Sequence, residues 1–186
     1  MYHPFIVGEK IYLRGLEKND LSGNMFQWVN DPEVTYFMMM RGERPNSMEL
    51  MEEEYERYTR SKNDVVFGIV DKKTDTLIGR VGLYDIHRIS HFGEFRIIIG
   101  EKEYWNKGYG TEATKLTVQY GFETLNLSKV WLHTNAENKG AIKAYENAGF
   151  VHEGVLRQEI YRNGRYYDAV RMSILRDEYF ARKEGK

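Results

Sequence analysis

Between Val65 and Ile99 the chain reads as three successive strands, Val65–Asp71, Thr76–His87 and Phe92–Ile99, joined only by the short turns Lys72–Asp75 and Arg88–His91. Turns that short force an antiparallel meander. The next segment changes character. Over Thr111–Leu125, Ala113, Leu116, Tyr120, Phe122 and Leu125 cover two sides of a helix, as expected for a helix packed on a sheet. A strand over Lys129–Ala136 and a helix over Lys139–Ala148 follow, with Gly149 as a left-handed stop. Strands Phe150–Ile160 and Arg165–Arg176 then form a hairpin around Asn163-Gly164. Upstream, Lys10–Leu16 is a short strand, and Asn19-Asp20 offers an N-cap for a helix with Leu21, Met25, Trp28 and Val29 on one side, broken at Asn30-Asp31-Pro32. Ser47 caps a second helix with Met48, Met51, Tyr55 and Tyr58 on one face; Glu52, Glu53, Glu54 and Glu56 opposite read as a solvated face or as a docking surface for a cation. An antiparallel meander followed by a helical crossover is an α/β (α+β) arrangement around a mixed sheet.

Composition narrows the function classes. With 186 residues, 41% hydrophobic and 30% charged, and no Pro- or Gly/Ser-rich linker, one domain with its own core is expected. Lys+Arg 27 against Asp+Glu 28 leaves a net charge of −1, so the basic footprint of a nucleic-acid binder is absent. The lack of cysteine removes disulfides, Cys-zinc sites and thiol nucleophiles. The five histidines form no HExxH motif, and no metal is expected. No apolar run approaches the ~20 residues of a membrane span, and the first residues lack a signal peptide's pattern. A cytoplasmic protein without membrane or nucleic-acid partners is the expectation.

Two constellations carry chemistry. Trp105-Asn106-Lys107-Gly108-Tyr109-Gly110-Thr111 lies between a strand and a helix, where glycines let backbone N–H groups converge on an anion at the positive end of the helix. It is neither GxGxxG nor a P-loop, and by itself it reads as an ordinary turn before it reads as a pyrophosphate cradle. In the second, Asn138 caps a helix and Tyr145 stands two turns along the same face, its hydroxyl near the end of the preceding strand; alternatively it completes the core.

Together these residues resemble the GNAT superfamily of acetyl-CoA-dependent N-acetyltransferases: Gly108-Tyr109-Gly110 behind a meander, then Asn138, Tyr145 and Gly149-Phe150 after the next strand. Leu13-Arg14, Asp20 and Trp28–Val34 look like the branch of ribosomal-protein N-terminal acetyltransferases. Gly93–Ile99, Leu125-Asn126-Leu127, Leu132-His133 and Asn163–Tyr166 look closer to bacterial spermidine N-acetyltransferases. The resemblance implies a GNAT fold, a mixed sheet of about seven strands flanked by about four helices and splayed between the fourth and fifth strands. It implies that Ile97, Ile98 and Ile99 offer backbone groups to the pantetheine arm, that Trp105–Thr111 hold the CoA pyrophosphate, that Asn138 contacts the cofactor arm, and that Tyr145 sits by the thioester sulfur. One departure stands in the loop: Trp105 replaces the family's usual Gln or Arg.

The chemistry sets further requirements. A lysine-like amine is only about 0.04% neutral at pH 7, so a base must accept a proton before the amine attacks a thioester. Glu94 is the candidate, and a cross-strand ion pair is its alternative. Tyr145 suits a hydrogen bond to the departing thiolate, followed by proton transfer, and no covalent acyl-enzyme is required. Asp85, Glu94 and Asp168 are candidate acidic residues for a cationic acceptor, or else ordinary surface carboxylates balanced by Arg96, Arg157 and Arg165. In the spermidine enzymes an acidic pair of a polyamine-responsive regulatory site follows the first helix; here that stretch reads Gly42-Glu43-Arg44-Pro45, which argues against such regulation. Tyr161, Tyr166 and Tyr167 are expected to be exposed, lining an acceptor pocket or a contact between copies in a homo-oligomer. The acceptor expected first is a polyamine or another small amine, then a peptide N-terminus; a non-catalytic acyl-CoA-binding module is the rival from another class.

Overall fold

The computed structural model describes residues 1–38 and 45–185, so the Gly42–Arg44 part of the stretch considered for regulation lies outside the described residues. In chain order the elements are β1 (Ile6–Val7), β2 (Ile11–Gly15), α1 (Lys18–Asp20), a π-helical turn Leu21–Met25, α2 (Phe26–Asn30), α3 (Met48–Arg60), β3 (Val65–Asp71), β4 (Leu77–His87) and β5 (Phe92–Ile99). A 3-10 turn Lys102–Tyr104 leads to α4 (Tyr109–Glu123), β6 (Lys129–Asn135), α5 (Lys139–Ala148), β7 (Val151–Arg162), β8 (Arg165–Leu175) and α6 (Arg176–Glu184). The strands form one sheet in the order β1-β2-β3-β4-β5-β6-β8-β7. Every neighbouring pair is antiparallel except β5–β6, which the α4 crossover makes parallel.

Helices cover both faces, and strand alternation decides which residues go where. Phe95, Val81, Leu83 and Leu132 pack with Val118 and Phe122 of α4 and Ile142 of α5 in the larger core. Ile98 turns the other way and joins Leu21, Met25, Trp28 and Met51 beneath the first three helices. Trp28 lies so close over Gly100 that a Cβ there would meet its ring at 1.9 Å, and its indole donates to Glu101 at 2.9 Å. This contact ties the first helices to the chain just beyond β5.

Several boundaries differ from the sequence expectation. The sheet has eight strands rather than about seven, because Ile6 and Val7 pair with Leu13 and Tyr12. The first helix begins at Lys18, not after Asn19-Asp20. Asp20 is its third residue, reaching back to accept from the Glu17 N–H at 2.8 Å while binding both terminal nitrogens of Arg14 at 2.8 Å. Gly23, with ψ −138°, kinks the helix that the periodicity implied was continuous. Helix α4 starts two residues early because Gly108 caps it in the left-handed region, and α6 replaces what was read as the last strand residue. Glu54 is not part of a solvated face: it turns in to Arg80 at 3.1 and 3.4 Å and accepts from Tyr58. Ser47 does cap α3, accepting from Leu50 N–H at 3.2 Å. Removing that acceptor in Ser47→Ala should cost about 1 kcal/mol. A thermal melt should register it as a drop of roughly 2–4 °C in Tm, activity being unaffected.

Candidate active site

The parallel pair β5–β6 is only partly zipped. Phe92, Gly93 and Glu94 pair with Lys129, Val130 and Trp131, and there the ladder stops, although β5 runs on to Ile99 and β6 to Asn135. The splay therefore falls between the strands expected from the resemblance, the fifth and sixth once β1 is counted. It leaves the backbone of Ile97–Ile99 without a strand partner on the β6 side, an edge of N–H and C=O groups open to an extended ligand.

The two sides of this opening are chemically different. Glu94 and Phe95 are consecutive strand residues, so their side chains emerge on opposite faces. Phe95 meets Tyr145 of α5 edge to face at 6.0 Å, placing the phenol on the α4/α5 side. Glu94 faces the first three helices, as its cross-strand neighbour Tyr84 does, whose ring meets Tyr58 of α3 at 5.4 Å. Tyr145 and Glu94 thus flank the point where the ladder ends, one above the sheet and one below.

On the Tyr145 side, Asn138 caps α5 through its side-chain oxygen, which accepts from Ala141 N–H at 3.2 Å. That oxygen is engaged, so only the amide nitrogen of Asn138 can serve a ligand as donor. Asn135, buried at the end of β6, accepts from Glu137 N–H at 2.8 Å and fixes the turn into the helix. The Tyr145 ring is wedged between Phe95 and Phe150, and its hydroxyl has no hydrogen-bond partner among the described residues. Burial pushes that hydroxyl up to about 12.

Beyond β5 the chain runs through the loop for which the resemblance implies a pyrophosphate cradle. The Trp105 indole donates to the Ile99 carbonyl at 2.8 Å, so the tryptophan that replaces the family's polar residue closes the loop onto the strand. Asn106 and Gly108 take positive φ, 58° and 86°. Gly108 is the N-cap of α4 and no side chain caps the helix, so the first-turn N–H groups of Tyr109, Gly110 and Thr111 are open donors. The Tyr109 side chain is held away, donating to Asp71 at 3.2 Å and standing edge-on to Tyr104 at 4.9 Å. Lys107 is exposed. A second cation was missed by sequence reasoning: Lys10, just before β2, donates to the Lys107 carbonyl at 3.1 Å. Nothing in the local motif announces it, because it comes from the opposite end of the sequence. Open donors, two cations and an unpaired strand edge make a donor set that fits a pyrophosphate with a peptide-like arm.

On the Glu94 side, Glu94 is 6% exposed and held by two neighbours. Arg96 donates to it at 2.5 Å and to Asp85 at 2.9 Å, while His133 of β6 stands 3.4 Å from its other oxygen. Asp85 and Glu94 are therefore brought together, and the ion-pair alternative for Glu94 is realised as well. Asp168 is not with them: its carboxylate accepts from Gln158 N–H at 2.8 Å in the β7–β8 hairpin, and its carbonyl accepts from Ala136 N–H at 3.0 Å. Arg165 does not balance the pair either, since it serves Tyr167 and Glu137. Tyr161 and Tyr166 are 63% and 61% exposed, but Tyr167 is buried, against expectation, because strand alternation turns it inward beside Ile160 and Ala169. Among the described residues no group of three or more His, Asp or Glu side chains forms a metal site, and no helix is long and apolar enough to cross a membrane.

Comparison with known proteins agrees with this arrangement. Residues 10–151 match the family described as Acetyltransferase (GNAT) domain. A spermidine N(1)-acetyltransferase of Vibrio cholerae is 35% identical over 179 residues, covering 96% of this chain and 100% of that protein. A spermidine N(1)-acetyltransferase of Escherichia coli is 44% identical over 103 residues, 55% of either chain. A putative ribosomal N-acetyltransferase of Bacillus subtilis is 26% identical over 95% of this chain and 97% of that protein. Among solved structures, spermidine N-acetyltransferase from Vibrio cholerae in complex with CoA and spermine superposes with a TM-score of 0.84 at 34% identity, covering 93% of this chain and 99% of that one.

Proposed function

The chain belongs to the GNAT acetyltransferase family, and from that premise we propose that it transfers the acetyl group of acetyl-CoA to a primary amine of a polyamine by direct attack on the thioester. The observation that carries this reading is the end of the β5–β6 ladder, with a free phenol on one face and a pair of carboxylates on the other.

Each part follows from the residues. The N–H groups at the start of α4, with Lys10 and Lys107, hold the diphosphate. The free edge Ile97–Ile99 and the amide nitrogen of Asn138 guide the pantetheine arm to the opening, where acetyl-CoA supplies an activated acyl carbon. The amine arrives from the other face, charged and in need of deprotonation, and the Glu94 end of the site accepts its proton. On the cofactor face the Tyr145 hydroxyl donates to the sulfur as negative charge builds there. No residue needs to carry the acetyl group. Cation recognition follows from the charge count: Arg96 offsets only one of the two carboxylates of Asp85 and Glu94. The side chain of Asp85 is 70% exposed, so added salt should slow capture of a polycation.

A thiol-release assay with acetyl-CoA against spermidine, spermine, diamines and short N-terminal peptides tests the reading. Turnover should be fastest with the polyamines. Preference for peptides would instead favour the protein N-terminal reading, to which the 26% identity with a putative ribosomal enzyme lends support. Acetyl-CoA binding without turnover on any amine would leave only an acyl-CoA-binding module.

A further inference from the structure

The mechanism above leaves one titratable side chain at the opening without a task. His133 lies in β6 two residues beyond Trp131, where the pairing with β5 ends, so it borders the gap itself. It is part-exposed, with 24% of its side chain open, whereas the Glu94 side chain beside it is 7% open. Its Nδ1 faces a Glu94 oxygen at 3.4 Å, and Arg96 holds the other oxygen of that carboxylate at 2.5 Å. Its ring lies near-parallel to Trp131, 5.7 Å between centroids and 22° between planes. Arg171, its register partner in β8, stacks over that indole at 4.1 Å and is held by Glu153 of β7 at 3.2 Å. Glu94 and Arg96 from β5, Arg171 from β8, Glu153 behind Arg171, and Asp85 of β4 behind Arg96 are thus the charged groups around the imidazole.

We infer that His133 is the group that meets the acceptor amine and takes its proton, and that Glu94 acts through it as a positioning residue. This rests on the acetyl-transfer reading and refines where the proton goes. Glu94 is a poor contact for an incoming ammonium: it is nearly closed off, and its oxygens already face Arg96 and His133. Nδ1 of His133, turned toward a carboxylate, is the nitrogen that keeps a proton, which leaves Nε2 with its lone pair. An imidazole is also the side chain able to accept a proton near neutral pH and release it again. The 3.4 Å separation is longer than a formed hydrogen bond, as catalytic pairs often are before their substrate arrives.

The ammonium gives one proton to Nε2 of His133, and the neutral nitrogen forms the N–C bond to the acyl carbon. The C–S bond breaks with its electron pair on sulfur. The second proton, lost as the amide forms, ends on that sulfur to give the thiol, and His133 returns its proton to solvent.

The test is the pH profile of kcat with saturating acetyl-CoA and spermidine, followed by thiol release. H133Q should lower kcat about 10²-fold at pH 7 and flatten the rising limb of the profile. Calorimetry should find its acetyl-CoA affinity unchanged, because His133 lies on the other face of the sheet from the cradle. E94Q should lower kcat but keep a rising limb. H133N guards against a folding loss peculiar to one variant, and added imidazole should restore rate to H133A in proportion to its concentration. A wild-type limb in H133Q would overturn the assignment, and its loss in E94Q would then show that the carboxylate takes the proton directly. Failure of wild-type protein to release thiol with any amine overturns acetyl transfer itself, and the role of His133 with it.

Discussion

Gly108→Val should weaken acetyl-CoA binding by about 10²- to 10³-fold while leaving the fold intact. The reason is conformation rather than space: the nearest atom a Cβ would meet is Lys10 Nζ, an ordinary 3.5 Å away. The backbone there has φ +86°, which a β-branched residue adopts only at a cost of about 1–3 kcal/mol. A valine would relax by swinging the peptide out of the left-handed region, turning the next N–H groups away from their common focus. Each lost hydrogen bond to a charged phosphate is worth about 1.5–3 kcal/mol, and 1.4 kcal/mol is tenfold in affinity. Calorimetric titration with CoA reads this directly. Wild-type affinity in the variant would mean that the loop does not hold the diphosphate.

Tyr145→Phe should lower kcat by about 10²- to 10³-fold, the usual cost of removing one donor from a developing anion, with acetyl-CoA affinity nearly unchanged. With its hydroxyl pushed up to about 12 by burial, full proton transfer to a thiolate of cysteine-like pKa ~8.5 would be uphill by about 5 kcal/mol. On the proposed reading, the phenol serves by donating a hydrogen bond as charge accumulates. Because the ring packs between Phe95 and Phe150 without using its hydroxyl, phenylalanine keeps the packing and removes only the donor. Single-turnover kinetics separate the chemical step from product release. An unchanged chemical rate would take Tyr145 out of the mechanism, and a large loss of CoA affinity would make it a binding residue instead.

Much of this arrangement is legible along the chain. The strands Val65–Asp71 and Phe92–Ile99 and the helix Lys139–Ala148 have the bounds read from pattern and turn residues, since each is set by local chemistry. Gly149 stops α5 with φ 106°, as a left-handed glycine should. What escaped depends on contacts between distant segments. The true start of α1 follows from Asp20 reaching both Glu17 and Arg14, which no propensity encodes. Helix α6 is short and polar, held by Tyr179 stacking on Phe122 at 5.0 Å and by Arg176 donating to the Phe122 carbonyl at 3.0 Å. Its signal was present in Asp177 and Glu178, acids suited to a first helical turn. Of the candidate site, the loop and Tyr145 were readable because they are contiguous motifs. Lys10 and His133 were not, because their places are set by strand order across a crossover. Asp168 was misplaced for the same reason: its distance from Glu94 is decided by the register of β6 on β8.

The parting of β5 from β6 also bears on traffic. A gap that pierces a sheet has two doorways, and on the proposed reading the thioester enters by one and the amine by the other. Neither visitor has to wait for its counterpart to clear the threshold, so both can be held at once and the spent products can depart along separate routes. Such a layout needs no half-loaded protein carrying a borrowed acyl group between visits, which accords with a chain that has no cysteine to bear one.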